Sequence, residues 1–135
     1  MTMSSINQNI DHILDNHKTI AVVGLSDKPD RASHSVARTM QRAGYRVIPV
    51  NPTQSEILGE TAYPSLKDIP EKVDLVDIFR RPEHVDDIVD EAIEIGARAV
   101  WMQLGVVNES AARKAEEAGL DVVMDRCWAI EYRSR

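Results

Sequence analysis

Short apolar, β-branched runs alternate along this chain with segments of helical periodicity, and glycines stand at the joins. Thr19-Ile20-Ala21-Val22-Val23 is stopped by Gly24, the form of a strand buried on both faces. Residues 45–50, 73–79, 99–104 and 121–124 repeat that character. Between them, Val36, Ala37, Met40 and Ala43 mark a helix ending at Gly44. Val85, Ile88, Val89, Ala92 and Ile93 mark another, which starts at Pro82 and ends at Gly96. Asn108 caps a third, which runs to Ala118 ahead of Gly119. Ile6, Ile10, Ile13 and Leu14 predict a first helix over 5–16 with Ser4 or Ser5 as its cap, and 128–132 predict a terminal one. Residues 53–72 read as a looser stretch with a helical turn around 65–69. Strands alternating with helices imply βαβ units and right-handed crossovers. The expected fold is α/β, a doubly wound, mainly parallel five-stranded Rossmann-like sheet with helices on both faces.

At 135 residues the chain has the length of one domain, expected over 1–135 with the helix of the first 18 residues packed on it. Its 43% hydrophobic and 28% charged content argues against disorder. The single cysteine, Cys127, excludes an internal disulfide and a cysteine-built zinc site. Histidines 12, 17, 34 and 84 show no metal-ligand spacing, so no metal ligand is assigned, and His12 and His17 are expected at the surface. No apolar run approaches the roughly 20 residues of a membrane span, and the polar first segment does not read as a secretion signal. A cytoplasmic protein is expected. Sixteen Lys and Arg against 22 Asp and Glu leave a net charge of −6, which argues against a nucleic-acid partner. The acidic residues Asp86, Asp87, Asp90, Glu91 and Glu94 read as a solvated helix face.

In an open parallel sheet, ligands bind outside the carboxyl ends of the strands, where strand order reverses. That edge should gather Gly24, Leu25, Ser26, Lys28, Arg31, Ser33 and His34 after the first strand, and Asn51 and Pro52 after the second. Arg80, Arg81 and Pro82 follow the third, Gly105 and Val106 the fourth, and Asp125, Arg126 and Cys127 the fifth. Five of the 16 cations (Lys28, Arg31, Arg80, Arg81 and Arg126) belong to this edge despite the negative total. Helix amino-termini also point there, so a phosphate-rich ligand is expected. The first turn lacks G-x-G-x-x-G, so side chains must do part of the phosphate binding. The second strand ends in Asn51-Pro52 with no carboxylate for a ribose hydroxyl, which lowers the case for NAD. Neither a phosphate-binding G-x-x-x-x-G-K-[ST] loop nor a G-x-S-x-G nucleophile turn is present, so no catalytic residue is assigned.

Ala21-Val22-Val23-Gly24-Leu25-Ser26, Val47-Ile48-Pro49-Val50-Asn51-Pro52, Asp77-Ile78-Phe79-Arg80-Arg81-Pro82 and Asp125-Arg126-Cys127 together resemble the stand-alone CoA-binding proteins. These are similar to the amino-terminal, CoA-binding domain of the succinyl-CoA synthetase alpha subunit. The resemblance implies that the loop from Gly24 to Ser33 receives the ADP phosphates of CoA. It implies also that Asn51 and Pro52 line the adenosine side, and that Phe79 to Pro82 flank the nucleotide. Where the synthetase domain has a lysine after its second strand, this chain has Gln54, and Lys28 or Arg31 would take its place. Cys127 beside Arg126 carries a redox reading, mixed-disulfide formation with the CoA thiol, alongside plain burial. The expected ligand is CoA or a short acyl-CoA, held by a carrier, sensor or regulatory module, as a homo-oligomer or with an enzyme partner. The alternatives are an NAD(P)-dependent oxidoreductase or its subunit, with Arg31 or Arg80 reading a 2′-phosphate, and a protein-interaction domain that has lost its ligand.

Overall fold

The computed structural model describes residues 4–135. Its centre is a sheet of five parallel strands: β1 (Thr19–Val23), β2 (Arg46–Val50), β5 (Leu75–Ile78), β6 (Ala99–Met102) and β7 (Asp121–Met124). A small antiparallel pair, β3 (Glu56–Ile57) and β4 (Glu60–Thr61), forms a separate two-stranded sheet, and the chain just after it bridges to β2 through Tyr63 and Val50. The helices are α1 (Ile10–Asn16), α2 (Ala32–Arg42), α3 (Val85–Glu94), α4 (Glu109–Glu117) and α5 (Trp128–Arg133).

Alternate residues of each strand feed two cores. Ala21, Val23, Ile48, Val50, Val76, Ile78, Val100, Met102 and Val122 face α3 and α4, where they meet Val85, Ile88, Val89, Ala111, Ala112 and Ala115. Ile20, Val22, Val47, Leu75, Trp101 and Val123 face α1, α2 and α5 and pack on Ile13, Leu14, Val36, Met40 and Trp128. Burial on both sides explains why the strands are continuous apolar runs rather than alternating ones. Strand order is β2-β1-β5-β6-β7. After β2 the chain crosses back over β1 to begin β5, so the reversal lies between β1 and β5. Among the described residues no helix is long and apolar enough to cross a membrane.

The expected helix over 5–16 begins only at Ile10, and no side chain caps it. Ser4 and Ser5 instead bind Glu116: the Ser5 N–H and Oγ donate to Oε2 at 2.7 and 2.8 Å. Asn7, in the left-handed region (φ 64), lies along the open edge of β7. Its N–H donates to the Val122 carbonyl at 2.9 Å, its Nδ2 donates to the Met124 carbonyl, and its Oδ1 accepts the Met124 N–H at 2.7 Å. Covering an exposed strand edge outweighs one more turn of helix. His17, expected at the surface, is only 4% exposed, because its N–H closes α1 on the Ile13 carbonyl and the chain then turns inward to β1. Burial lowers its pKa from the ordinary histidine value. Pro82 opens a short 3-10 turn, Pro82–His84, ahead of α3.

Candidate functional site

At the reversal, the end of β1 is bonded to β2 on one side and to the residue after β5 on the other. The Gly24 N–H donates to the Val50 carbonyl at 3.0 Å, and the Phe79 N–H donates to the Val23 carbonyl at 2.9 Å. Gly24 has a φ of +85°, and a Cβ there would lie 2.3 Å from the Phe79 carbonyl oxygen. Only glycine meets both demands.

The loop after Gly24 is tied to itself. Ser33 Oγ accepts the Ser26 N–H at 3.0 Å, Ser26 Oγ accepts the Lys28 N–H at 3.1 Å, and the Lys28 carbonyl accepts the Arg31 N–H at 3.0 Å. Asn51 braces it from β2: its Nδ2 donates to the Leu25 carbonyl at 2.9 Å, while its Oδ1 accepts from Thr53 N–H and Oγ at 2.8 and 2.9 Å. Leu25 itself is fully buried.

Gly24, Ser26, Lys28, Arg31, Ala32, Ser33 and Phe79 line an open depression of about 410 Å³. No side chain caps the start of α2 at Arg31, which leaves the first-turn N–H groups without a side-chain acceptor at this lip. On the other side of Gly24 lies a narrower cavity of about 110 Å³, lined by Pro52, Pro64, Ser65, Arg80, Ile88 and Glu91 among others. Of the residues expected at the edge, therefore, Gly24, Ser26, Lys28, Arg31, Ser33 and Phe79 share the larger depression, and Gly24, Pro52 and Arg80 the smaller. Arg81 and Pro82 are exposed and line neither.

The far end of the same edge is occupied by its own bonds. Asp125 Oδ1 accepts the Gly105 N–H at 2.8 Å, and the Arg126 carbonyl accepts the Trp101 indole N–H at 2.9 Å. The exposed Arg126 donates to the Asp125 carbonyl. Cys127 is half-buried at the start of α5, packed against the core that holds Trp128.

Two acids near the reversal are withdrawn from solvent, one of them against the expectation of a solvated helix face. Glu91 is half-buried and not on a solvated face; its Oε1 is shut from solvent with no hydrogen-bond partner among the described residues. The signal was present, since Glu91 falls three residues after the core residue Ile88 and so on the same helix face. Asp77 is fully buried in β5, where Gln103 Nε2 donates to both carboxylate oxygens at 3.0 and 3.2 Å. Burial pushes its pKa up from 3.8 to about 8, against the smaller opposing effect of the Gln103 hydrogen bond.

Comparison with known proteins gives one consistent answer. Residues 18–133 match the model of a CoA-binding domain. The chain is 50% identical to the uncharacterized protein YneT of Bacillus subtilis over 91% of both chains. It is 32% identical to the alpha subunit of the ADP-forming acetate–CoA ligase II of Pyrococcus furiosus over 76% of this chain, which spans 23% of that subunit. A hypothetical protein of Pyrococcus horikoshii superposes with a TM-score of 0.91 at 40% identity, covering 99% of this chain and 98% of that one. A dinucleotide-forming acetyl-coenzyme A synthetase of Candidatus Korarchaeum cryptofilum, in complex with phosphate and ADP, superposes at 0.74 with 26% identity over 84% of this chain and 27% of its own. With the sheet order, the reversal at Gly24 and these matches in agreement, the chain belongs to the CoA-binding domain family.

Proposed function

We propose that this protein binds CoA, free or as a short acyl ester, by its ADP phosphates at the depression beside Gly24, and serves as a carrier, sensor or regulatory module. One observation carries the reading. Two cations, Lys28 and Arg31, flank the uncapped start of α2 in a depression whose floor is a glycine with no room for a side chain. Several negatively charged oxygens need this combination of backbone donors and cations. In this reading Ser26 and Ser33 shape the loop that meets the diphosphate, and Phe79 offers an apolar wall. Asn51 acts from behind by fixing Leu25 and Ser26. Pro52 and Arg80 border the adenosine through the smaller cavity, while Arg81 and Pro82 flank the nucleotide from its rim. Family membership supports CoA over a dinucleotide, as does the absence of a carboxylate at Asn51-Pro52.

Melting curves with CoA and with NADP test this, since a ligand that binds only the native state raises the midpoint by mass action. CoA is expected to raise it and NADP to leave it in place. Lys28→Ala and Arg31→Ala should each weaken CoA binding about tenfold, the worth of one charge-assisted hydrogen bond. No shift with CoA, or an equal shift with NADP, contradicts the reading.

A further inference from the structure

At the opposite, amino-terminal edge of the sheet the structure assembles a second set of ligating groups. His12 on α1, His17 just before β1 and Asp121 at the first position of β7 each offer one ligand atom, and these atoms all lie within 4.8 Å of one another. The two imidazoles meet edge to face with centroids 5.8 Å apart. Neither ring nitrogen of His17 has a hydrogen-bond partner among the described residues, although the residue is only 4% exposed. A neutral imidazole carries one donor and one acceptor, and shutting both away unpaired is costly. Asp121 is held in place. Asn9 Nδ2 donates to Asp121 Oδ1 at 2.8 Å, and the Asn16 amide lies 3.2 Å from His12 Nδ1 while donating to the His12 carbonyl at 2.9 Å. The bond from Asn9 to Asp121 is of the sort that orients carboxylate ligands in protein metal sites.

We propose that His12, His17 and Asp121 form a site for a divalent transition metal ion of the zinc class. Two imidazoles and one carboxylate suit zinc, cobalt or nickel, whereas magnesium and calcium favour all-oxygen shells. Ligand atoms about 2.1 Å from a shared tetrahedral ion lie about 3.4 Å apart, so the three need to close by at most about 1.4 Å. The exposed His12 side chain has that freedom. The depression before His12 and His17 is about 350 Å³ and open to solvent, which provides an entry path and room for a water as fourth ligand. Lys72 and Arg98 line it, and Asp74, together with Asp121, offsets them.

The test uses the intact protein stripped with a chelator and titrated with Co²⁺, whose visible absorption reports the number and kind of its ligands. Saturable binding of one Co²⁺ per chain is expected, with displacement by Zn²⁺ and a higher melting temperature in the metal-bound form. His12→Ala and Asp121→Asn, both at positions outside the core, should each weaken binding by about tenfold or more. Circular dichroism of the two variants should match the parent, which separates loss of a ligand from loss of the fold. No saturable binding at millimolar Co²⁺ overturns the proposal. So does binding that both variants retain unchanged.

Discussion

Gly24 and Asp77 carry opposite lessons about single residues. At Gly24 a methyl group would meet a backbone carbonyl at 2.3 Å with φ at +85°. Neither partner can yield without parting β1 from β5. Gly24→Ala should therefore lower unfolding stability by about 2–4 kcal/mol in a denaturant titration, through strain at a special backbone position. Asp77 is a buried acid with a raised pKa. Between about pH 4 and about pH 8 the native carboxyl keeps a proton that the unfolded chain has released. Its stabilising contribution is thus complete below its ordinary pKa and is lost as pH rises through about 8. Asp77→Asn removes that titration while preserving shape, once the Gln103 amide turns over to present its oxygen. Urea midpoints measured across this range should fall with pH in the parent and fall less in the variant. Equal slopes would show that Asp77 is ionised in the native protein.

At the scale of elements, the caps and joins decide how well the sequence could be read. Asn108 is at the helix start where it was expected, its Oδ1 accepting the Ala111 N–H at 3.0 Å. Its Nδ2 also donates to the Pro82 carbonyl at 2.9 Å, joining α4 to the turn that opens α3. Asn108→Ala should cost about 1–2 kcal/mol in thermal or chemical unfolding. The strands were legible because burial on both faces leaves their centres, such as residues 20–23 and 122–123, without a polar interruption. The hairpin of β3 and β4 was not. Its turn residues are Leu58 and Gly59, at φ 55 and 76, and leucine gives no sign of a left-handed turn where asparagine would. The first helix was overextended for a related reason. Ile6 fits the helical spacing, but Asn7 makes bonds along β7 that no local pattern encodes. His17 and Asp121 meet only because strands far apart in sequence start on one edge, so their spacing carries no signal.

Across the whole molecule, the two edges of one sheet present different groups. The carboxyl edge is divided: near β6 and β7 its groups bind one another, as Asp125 and Gly105 do, whereas near β1 and β5 the loop and the start of α2 are left open. Strand order explains the division, since the connections leave β1 and β5 in opposite directions and part above Gly24. Topology was therefore the most legible level, and it places the strand-order reversal beside Gly24. Which cations would line the depression was less legible, because loop direction, not strand order, separates Lys28 and Arg31 from Arg81 and Arg126. The central claim is that an anionic nucleotide settles over Gly24. A crystal structure of the protein with CoA tests it most directly. The account predicts the diphosphate between Lys28, Arg31 and the first turn of α2, in hydrogen-bond reach of the backbone. Electron density for CoA elsewhere on the surface, with that depression filled only by solvent, would contradict it.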